Sequence, residues 1–317
     1  MSFSEITFGP VPSRRLCRSL GVNNIPPKIC SYSCVYCQVG PTSHREIKPH
    51  TFFHPKEILQ QVEERIDSLR SQGERIDYLT FVPDGEPTLD SNLEEAIELL
   101  RPFGLKIAVI SNASLLWQPT VRQTLLKADW VSVRVDSVNE CIWQKINLPH
   151  KKLQLDAILR GIQIFADEFE GELVTETMLV DGLNNKANTL TAIAEFIVKI
   201  TPYKAYVAIP TRPPAGKWVK PPSQEDLLLA YQTFKEKIPN TECLIEYEGE
   251  DFVAAGNIQD EVLRITSVHL LHEEAVDKLL KDANAGREVV DGLIKEKKIT
   301  MTEYQGQRFY LRNFYQP

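Results

Sequence analysis

From about residue 75 onward, short runs of apolar residues alternate with longer stretches in which apolar residues recur every three or four positions. The short runs are typical of buried β-strands, and the periodic stretches are typical of helices that bury one face. Strands are predicted at residues 19–22, 76–82, 105–110, 130–135, 173–180, 205–209 and 243–246. Helices are predicted at residues 55–72, 93–100, 121–126, 155–165, 189–200 and 224–237.

This alternation of strand and helix predicts an α/β fold with a parallel sheet. Six or seven βα repeats favour a barrel over a flat doubly wound sheet, and we predict a partial (β/α)6 TIM-like barrel over residues 1–255. In either architecture, the functional site lies at the carboxyl ends of the strands.

The pattern changes after residue 256, where helices are predicted at residues 272–283 and 286–297 and a hairpin at 299–314, turning at Gln305 and Gly306. Two helices followed by a hairpin resemble a winged helix-turn-helix, so residues 256–317 are predicted to form a small C-terminal winged-helix-like module. Residues 264–317 contain 9 Lys and Arg against 8 Asp and Glu, a difference of +1. That balance gives no electrostatic footprint for a duplex, and substrate delivery or protein contact fits this module as well as nucleic-acid binding does.

Composition places few further limits on function. The chain has 36 Lys and Arg against 43 Asp and Glu, for a net charge of -7, which indicates no general affinity for nucleic acid or an anionic membrane. The first residues lack a signal peptide pattern, and no apolar stretch is long enough to span a membrane, so we expect a cytoplasmic protein. Six cysteines in 317 residues do not form a disulfide-dense scaffold.

Three of these cysteines, Cys30, Cys34 and Cys37, form a CxxxCxxC motif. Such a triplet supplies three thiolates, so a 4Fe-4S cluster held by it has one iron without a protein ligand, and a small chelating molecule has room to bind there. The spacing alone leaves two alternatives open: a structural zinc site completed by His44, and a packing role for all three thiols.

A second group of polar residues follows the predicted strands. Gly85 and Glu86 come directly after the strand at 76–82, where the carboxylate could bind a ligand or cap a helix. Further along, residues 131–136 alternate between valine and polar residues, so the valines should face the helices while Arg134 and Asp136 face the barrel lumen. In the lumen these charges would bind a ligand or pair with each other.

The motifs together resemble those of radical S-adenosylmethionine (SAM) enzymes over about residues 9–250. The likeness rests on the cysteine triplet, on Tyr36 directly before its last cysteine, and on the pair Gly85-Glu86. Residues 9–15, 19–22 and 35–40 are similar to a branch of iron-sulfur oxidoreductases related to the wyosine synthases, which remodel a guanine in tRNA.

This resemblance implies a set of roles. Cys30, Cys34 and Cys37 would hold a 4Fe-4S cluster, whose fourth iron would be chelated by the amine and carboxylate of SAM. Glu86 would accept a hydrogen bond from the SAM ammonium, with Gly85 allowing close backbone approach. The remaining candidate contacts to SAM are Tyr36 and Met178 at the adenine, Ser111 and Asn112 at the ribose or carboxylate, and Arg134 and Asp136 at the carboxylate and ribose. Met178 is by default a core residue, and Ser111 and Asn112 could equally cap the next helix.

The implied activity is reductive cleavage of SAM to a 5'-deoxyadenosyl radical, which abstracts hydrogen from an unidentified substrate. The electron would come from flavodoxin or ferredoxin, and a tRNA or other nucleic-acid base is one candidate substrate. Cys17, Cys141 and Cys243 are scattered without a motif, which argues against the second cluster of the wyosine synthases and weakens the tRNA assignment. Glu176 is a weaker candidate for contact with the substrate or SAM, and Arg212 is a weaker candidate for contact with an anionic substrate. Arg212 lies in a Pro-rich segment at 210–222 that would cover the site or serve as a connector.

One rival interpretation belongs to a different functional class. A redox or oxygen sensor would use the same cluster and contact DNA or a protein through its C-terminal module. That interpretation gives no task to Gly85 and Glu86.

Overall fold

The computed structural model describes residues 6–245, 257–268, 270–304 and 306–313. The predicted module boundary at residues 255 and 256, the last residue of the predicted strand 243–246, and residues 305 and 314 of the predicted hairpin lie outside these ranges. The strands are β1 (Thr7–Ser13), β2 (Cys17–Val22), β3 (Ile29–Cys30), β4 (His44–Arg45), β5 (Tyr78–Phe81), β6 (Lys106–Ser111), β7 (Trp130–Arg134), β8 (Glu172–Met178), β9 (Lys204–Ala208), β10 (Thr241–Leu244), β11 (Leu271–His272), β12 (Ile299–Tyr304) and β13 (Gln307–Arg312). The α-helices are α1 (Pro55–Ser71), α2 (Leu93–Leu100), α3 (Pro119–Leu125), α4 (Glu140–Asn147), α5 (Leu155–Glu168), α6 (Ala187–Lys199), α7 (Gln224–Lys237), α8 (Ile258–Val268), α9 (Glu273–Asp282) and α10 (Glu288–Lys295), and two short 3-10 turns lie at Pro87–Leu89 and Arg101–Phe103.

Eight strands form one sheet in the order β1-β2-β5-β6-β7-β8-β9-β10. β1 pairs antiparallel with β2, and every other pairing in the sheet is parallel. The parallel strands follow one another in chain order, without the reversal of order that marks a doubly wound sheet. The two edges of the sheet, β1 and β10, are not paired with each other, so the predicted partial barrel is confirmed.

The core between sheet and helices follows the predicted pattern. In α1 the buried residues Ile58, Val62, Ile66 and Leu69 recur every three or four positions. In β7, Val131 and Val133 pack into the same cluster, as predicted for the valine face of that strand. Strand β8 ends at Met178, two residues before the predicted end at residue 180. The Val180 N–H donates to Asn184 Oδ1 (2.8 Å) instead of to a neighbouring strand.

The inner face of the sheet has its own apolar cluster, which fills the lower part of the lumen. It contains Leu16, Ala108, Trp130, Val174, Tyr206, Ala208 and Leu244. Leu16 comes from the turn between β1 and β2, at the amino ends of the parallel strands. The turn therefore forms a floor beneath the lumen. The prediction missed β1, because Gly and Pro within this edge strand hide its pattern.

The C-terminal part contains α8, β11, α9, α10, β12 and β13, with a three-stranded sheet in the order β11-β13-β12. Its helices and strands share a second apolar cluster that includes Val262, Leu279, Leu293 and Tyr310. The two predicted helices and the hairpin strands are present in the described residues, and their assignment as a winged helix stays a prediction. Across the described ranges, every helix is too short or too polar to span a membrane.

Candidate functional site

A cavity of about 320 Å³ opens at the carboxyl ends of the parallel strands and is lined by the cysteine segment and the strand ends. Nine predicted site residues line it: Cys30, Cys34, Tyr36, Cys37, Gly85, Ser111, Asn112, Arg134 and Met178. Glu176 and Arg212 line it too. The other two predicted residues, Glu86 and Asp136, are buried and lie outside the described lining of the cavity.

The three cysteines of the motif are free thiols that lie partly buried around this cavity. Burial raises the pKa of all three, to about 12 for Cys34. Asn112 Nδ2 donates to Cys30 Sγ (3.3 Å), and Asn147 Nδ2 donates to Cys34 Sγ (3.4 Å). Such donors would stabilise negative charge on the sulfurs, as thiolate ligands of iron require.

The donor set fits an iron-sulfur cluster in its chemistry, because three soft sulfur atoms face a single cavity. In the part of the chain that the structure describes, no group of three or more His, Cys, Asp or Glu side chains is arranged so that it could hold a metal ion. Cluster type therefore rests on the motif and on the family.

Gly85 lies where the turn after β5 meets the cysteine segment. A Cβ at this position would lie 1.8 Å from the backbone oxygen of Ile29, so only glycine fits without displacing the segment. The same oxygen accepts a hydrogen bond from the Glu86 N–H (3.2 Å). This close approach fixes the segment that carries Cys30 against the end of β5.

Glu86 is fully buried and accepts four hydrogen bonds within the protein. Oε1 accepts from Thr88 N–H (3.2 Å), Thr88 Oγ1 (2.6 Å) and Ser111 Oγ (2.7 Å), and Oε2 accepts from Asn112 N–H (2.7 Å). The side chain thus caps the 3-10 turn at Pro87–Leu89, as in the capping alternative, and holds the end of β6. Its contact with the SAM ammonium stays a prediction.

Asp136 anchors the aromatic residue of the cysteine motif. Its Oδ2 accepts hydrogen bonds from Tyr36 Oη and from Asn147 Nδ2 (2.7 Å), and its Oδ1 accepts from Met178 N–H (2.8 Å). Asp136 is therefore not paired with Arg134, and it holds in place two of the predicted SAM-binding residues, Tyr36 and Met178.

Arg134 pairs instead with Glu176, at 2.7 Å between Nη2 and Oε1. Arg15 reaches the other oxygen of the same carboxylate, at 2.5 Å between Nη1 and Oε2. Burial acts to raise the pKa of Glu176, but the two guanidinium groups outweigh it and hold that pKa below its usual value. Among the described residues, Arg134 Nη1 is buried without a hydrogen-bond partner, so a ligand acid group would satisfy it.

Asp84 is a cavity residue that the sequence prediction missed, although it directly precedes Gly85. Burial raises its pKa to about 8, against the opposing influence of Lys28, another missed cavity residue. Within the described structure its Oδ2 lacks a hydrogen-bond partner, which leaves an acceptor for a ligand donor.

Arg15 and Asn147 were also missed, for different reasons. Arg15 lies within the segment 9–15 that supports the family resemblance, but nothing local indicates that its side chain enters the lumen. Asn147 lies at the end of α4 and matches no motif. The contact of Arg15 with Glu176 and that of Asn147 with Cys34 each connect residues more than 100 positions apart, 161 and 113 respectively.

The segment 210–222 is fastened to the cysteine segment. Gly216 N–H donates to Val35 O (2.8 Å), and Arg212 Nη1 donates to Gln38 Oε1 (2.8 Å). Asp181 N–H donates to Lys220 O (3.0 Å) farther along. The segment thus forms part of the wall beside the cysteines rather than a passive connector.

The three remaining cysteines lie in separate elements: Cys17 in β2, Cys141 in α4 and Cys243 in β10. All three fall outside the described lining of the cavity. Cys17 and Cys141 are exposed, and Cys243 is half-buried.

Comparison with known proteins supports the family resemblance that the cysteine motif indicated. The family model of the radical SAM superfamily matches residues 24–193. The UPF0026 protein MJ1312 of Methanocaldococcus jannaschii is 45% identical over 310 residues, covering 97% of this chain and 96% of that protein. A UPF0026 protein of Helicobacter pylori strain J99 is 32% identical over 312 residues, covering 96% of this chain and 97% of that protein.

Among solved structures, the crystal structure of a radical SAM methyltransferase from Sphaerobacter thermophilus matches with a TM-score of 0.53 at 15% identity. The match covers 72% of this chain and 66% of that chain. At this identity the likeness concerns the fold alone, and the fold it supports is the partial barrel described above.

Proposed function

The chain belongs to the radical SAM superfamily, and we propose that it is an enzyme that holds a 4Fe-4S cluster through Cys30, Cys34 and Cys37 and cleaves SAM reductively. The observation that carries this proposal is the cavity itself. It brings the three free thiols of the motif together with Asn112, Arg134 and other polar side chains from the strand ends.

When bound, the cluster and SAM would supply an electron and a 5'-deoxyadenosyl radical that abstracts hydrogen from the substrate. The protein contributes binding, orientation and the exclusion of water. Flavodoxin or ferredoxin is our proposed electron donor, and the substrate is not identified by these residues.

The chain's own residues have distinct tasks in this proposal. Cys30 and Cys34 would ligate iron with the amides of Asn112 and Asn147 donating to their sulfurs, which disperses negative charge. The buried Nη1 of Arg134 would bind the SAM carboxylate.

Two further groups shape the nucleotide part of the site. Tyr36, fixed by Asp136, would present its ring to the adenine, with Met178 beside it. Asp84 Oδ2 offers an acceptor for the SAM ammonium, in a wall position where the sequence had suggested Glu86. The segment 210–222 would help keep water from the reacting atoms.

Anaerobic reconstitution with iron and sulfide, followed by dithionite and SAM, tests the proposal. We expect bound iron and sulfide, and release of methionine and 5'-deoxyadenosine measured by liquid chromatography. A sensor of redox state or oxygen would bind iron but release no 5'-deoxyadenosine, and that outcome would refute the enzymatic proposal.

Variants of single cysteines provide the control for ligand assignment. Cys34→Ala should abolish both stable cluster binding and SAM cleavage, because one of three protein donors is lost. Cys243→Ala removes a half-buried thiol outside the cavity lining and should retain both. Equal iron content in the two variants would show that Cys34 is not a ligand.

A further inference from the structure

The backbone of the cysteine segment is hydrogen-bonded to two other segments of the chain. On one side, Glu46 N–H donates to Cys30 O (3.0 Å), next to the pairing of β3 with β4. On the other side, His150 N–H donates to Ser31 O (2.9 Å). The backbone around the first cysteine of the motif is therefore held between two segments that lie far apart in sequence.

These two segments, residues 44–50 and 145–152, are basic, although the net charge of the chain is -7. They contain five Lys and Arg residues and one acidic residue, Glu46, a difference of +4. The five basic residues, all exposed, are Arg45, Lys48, Lys145, Lys151 and Lys152. Glu46 contacts His44 Nε2 (2.9 Å) and His50 Nε2 (2.8 Å), and within the described ranges none of the five basic side chains forms an ion pair.

Part of this charge is gathered in a basic patch, which we define as Arg45, Leu148, His150, Lys151 and Lys152. Arg45 Nη1 donates to Leu148 O (3.1 Å) and so joins the two segments. Partial burial, together with the charges of Lys152, Lys151 and Arg45, lowers the pKa of His150, so the three cations lie close to the same imidazole ring. Leu148 is 41% exposed and adds an apolar surface to the patch.

The basic patch is one residue away from a sulfur atom of the cysteine motif. Leu148 directly follows Asn147, which is buried and whose Nδ2 donates to Cys34 Sγ (3.4 Å). The cysteines line the cavity, whereas the patch residues lie outside its described lining. The negative charge of the thiolates therefore belongs to the cavity side, where bound iron would offset it.

The function proposed above requires an electron at the cysteines. A carrier protein cannot enter a cavity of about 320 Å³, so the electron has to arrive through the protein surface near the sulfur atoms. Complexes of redox proteins are weak and have small interfaces, and complementary charge accelerates their formation. A small basic surface next to a cluster ligand meets these requirements.

We propose, on the basis of the function proposed above, that the basic patch is the docking site of an acidic one-electron carrier protein, a flavodoxin or a ferredoxin. Docking would bring the redox group of the carrier to Leu148, from which Asn147 leads to Cys34. One electron passes from the reduced carrier, which is oxidised, to the bound cluster, which is reduced. No bond forms or breaks in this step.

Positive charge would also attract a nucleic acid. Two observations favour the carrier. The patch adjoins Cys34 through Asn147, and it lies outside the described lining of the cavity, where a substrate base would react. Binding of RNA is therefore one outcome of the test and not part of the proposal.

Isothermal titration of oxidised flavodoxin, and separately of ferredoxin, into the cluster-loaded protein measures docking. Stopped-flow spectroscopy of the carrier's own absorbance measures the second-order rate constant for electron transfer from its reduced form. At an ionic strength of about 0.05 M, the double variant Lys151→Gln with Lys152→Gln should lower this rate constant about tenfold and weaken binding. The difference should largely disappear at about 1 M, where the Debye length is about 3 Å.

The double variant Lys297→Gln with Lys298→Gln is the matched control. It removes two adjacent, exposed lysines from the turn between α10 and β12, which is not part of the basic patch, so neither quantity should change. Dithionite is too small to need a docking site. With dithionite, the variant at Lys151 and Lys152 should therefore release 5'-deoxyadenosine at the wild-type rate.

Equal rate constants and affinities in the patch variant and the control variant, for both carriers, would overturn the proposal. Titration of tRNA distinguishes the other occupant: if the patch variant weakens tRNA binding more than carrier binding, the patch is a nucleic-acid contact and the proposal is wrong.

The docking site and the enzymatic function can fail separately. Cleavage of SAM with dithionite, but no effect of the patch variant on either carrier, refutes only the docking site. Patch-dependent binding of a carrier without any cleavage of SAM refutes only the enzymatic function. If iron does not bind, titration of the carriers into the protein without its cluster still decides whether the patch binds them.

Discussion

Arg65 and Glu261 form a buried ion pair that joins the barrel to the C-terminal part of the chain. Arg65 Nη2 in α1 lies 2.8 Å from Glu261 Oε1 in α8, and the two side chains are 5% and 0% exposed. Arg65 Nε also donates to the Gly9 carbonyl in β1 (3.1 Å). Strand β1 and helix α1 of the barrel and helix α8 of the C-terminal part thus meet at the Arg65 guanidinium group.

Glu261→Gln should lower the free energy of unfolding by about 3–5 kcal/mol, because it removes the negative charge that lies 2.8 Å from the buried Arg65 guanidinium. Urea denaturation of the purified protein provides the measurement. The double variant Arg65→Met with Glu261→Met should recover much of the loss, since it removes both buried charges of this pair.

The control for this prediction is Glu98→Gln, which removes a surface pair with Lys127 (3.3 Å, side chains 56% and 45% exposed). It should change the free energy of unfolding by less than about 1 kcal/mol. Equal losses in Glu261→Gln and Glu98→Gln would contradict a stabilising role for the buried pair.

Glu86→Gln should impair both SAM binding and cluster retention. The Glu86 carboxylate accepts a hydrogen bond from Asn112 N–H, and the side chain of Asn112 donates to Cys30 Sγ. The amide of the introduced glutamine would therefore disturb the position of Asn112 and, through it, that of Cys30. SAM affinity should fall about tenfold or more. Equilibrium dialysis of SAM and chemical analysis of iron measure the two effects.

Glu95→Gln, on the exposed face of α2, is the matched control and should alter neither quantity. If Glu86→Gln lost SAM affinity with full iron content, Glu86 would act through direct contact with SAM instead of through Asn112.

Asp84→Asn should stabilise the apo protein at alkaline pH. The pKa of Asp84 is about 8 in the folded protein, raised by burial from an ordinary value of 3.8. The folded state therefore holds this proton more tightly than the unfolded state does. The protein loses stability as the pH rises from the ordinary pKa of 3.8 to the folded-state pKa of about 8. Asparagine does not ionise, so the variant avoids this loss. Its free energy of unfolding should exceed that of the wild type by an amount that grows between pH 5 and pH 9, to more than about 1 kcal/mol.

Thermal unfolding across this pH range measures the difference between variant and wild type. The exposed Asp67→Asn on α1 should give no comparable trend. A constant difference between Asp84→Asn and wild type over the whole range would show that Asp84 is ionised in the folded protein throughout.

Gly85→Ala should reduce iron uptake, because its Cβ would lie 1.8 Å from the Ile29 oxygen and displace the segment that carries Cys30. Iron content after reconstitution and the midpoint of thermal unfolding should both fall. Gly292→Ala in α10 meets open space and should be neutral or stabilise the protein by up to about 1 kcal/mol. Normal iron content in Gly85→Ala would show that the segment can move away without cost.

Much of the architecture could be predicted from local pattern. The helices at residues 93–100 and 224–237 begin and end where they were predicted, because the periodicity of their apolar residues is intact at both ends. The valines of β7 face the core and Arg134 faces the cavity, since successive residues of a strand point to opposite sides. The cysteine motif, which is local, also indicated the family that the comparisons confirm.

The partners of the polar residues could not be predicted in this way. Sequence marked Glu86 and Asp136 as ligand contacts, and those contacts stay predictions. The structure adds that both accept internal hydrogen bonds and that Asp84 lies in the cavity wall. In a tight turn, a shift of one or two positions along the chain decides whether a carboxylate faces the cavity or the layer behind it. The periodicity of apolar residues in helices and strands does not extend into such a turn, so it cannot predict which carboxylate faces the cavity.

The sequence by itself determined most of the parallel strands and the helices beside them, and the motif of three cysteines, because each depends on residues a few positions apart. Tertiary structure decided that Arg15 and Arg134 meet at Glu176, although 161 and 42 residues separate them from it. Such meetings depend on the curvature of the sheet and on where the β1–β2 turn enters the lumen. These are properties of the whole packed chain.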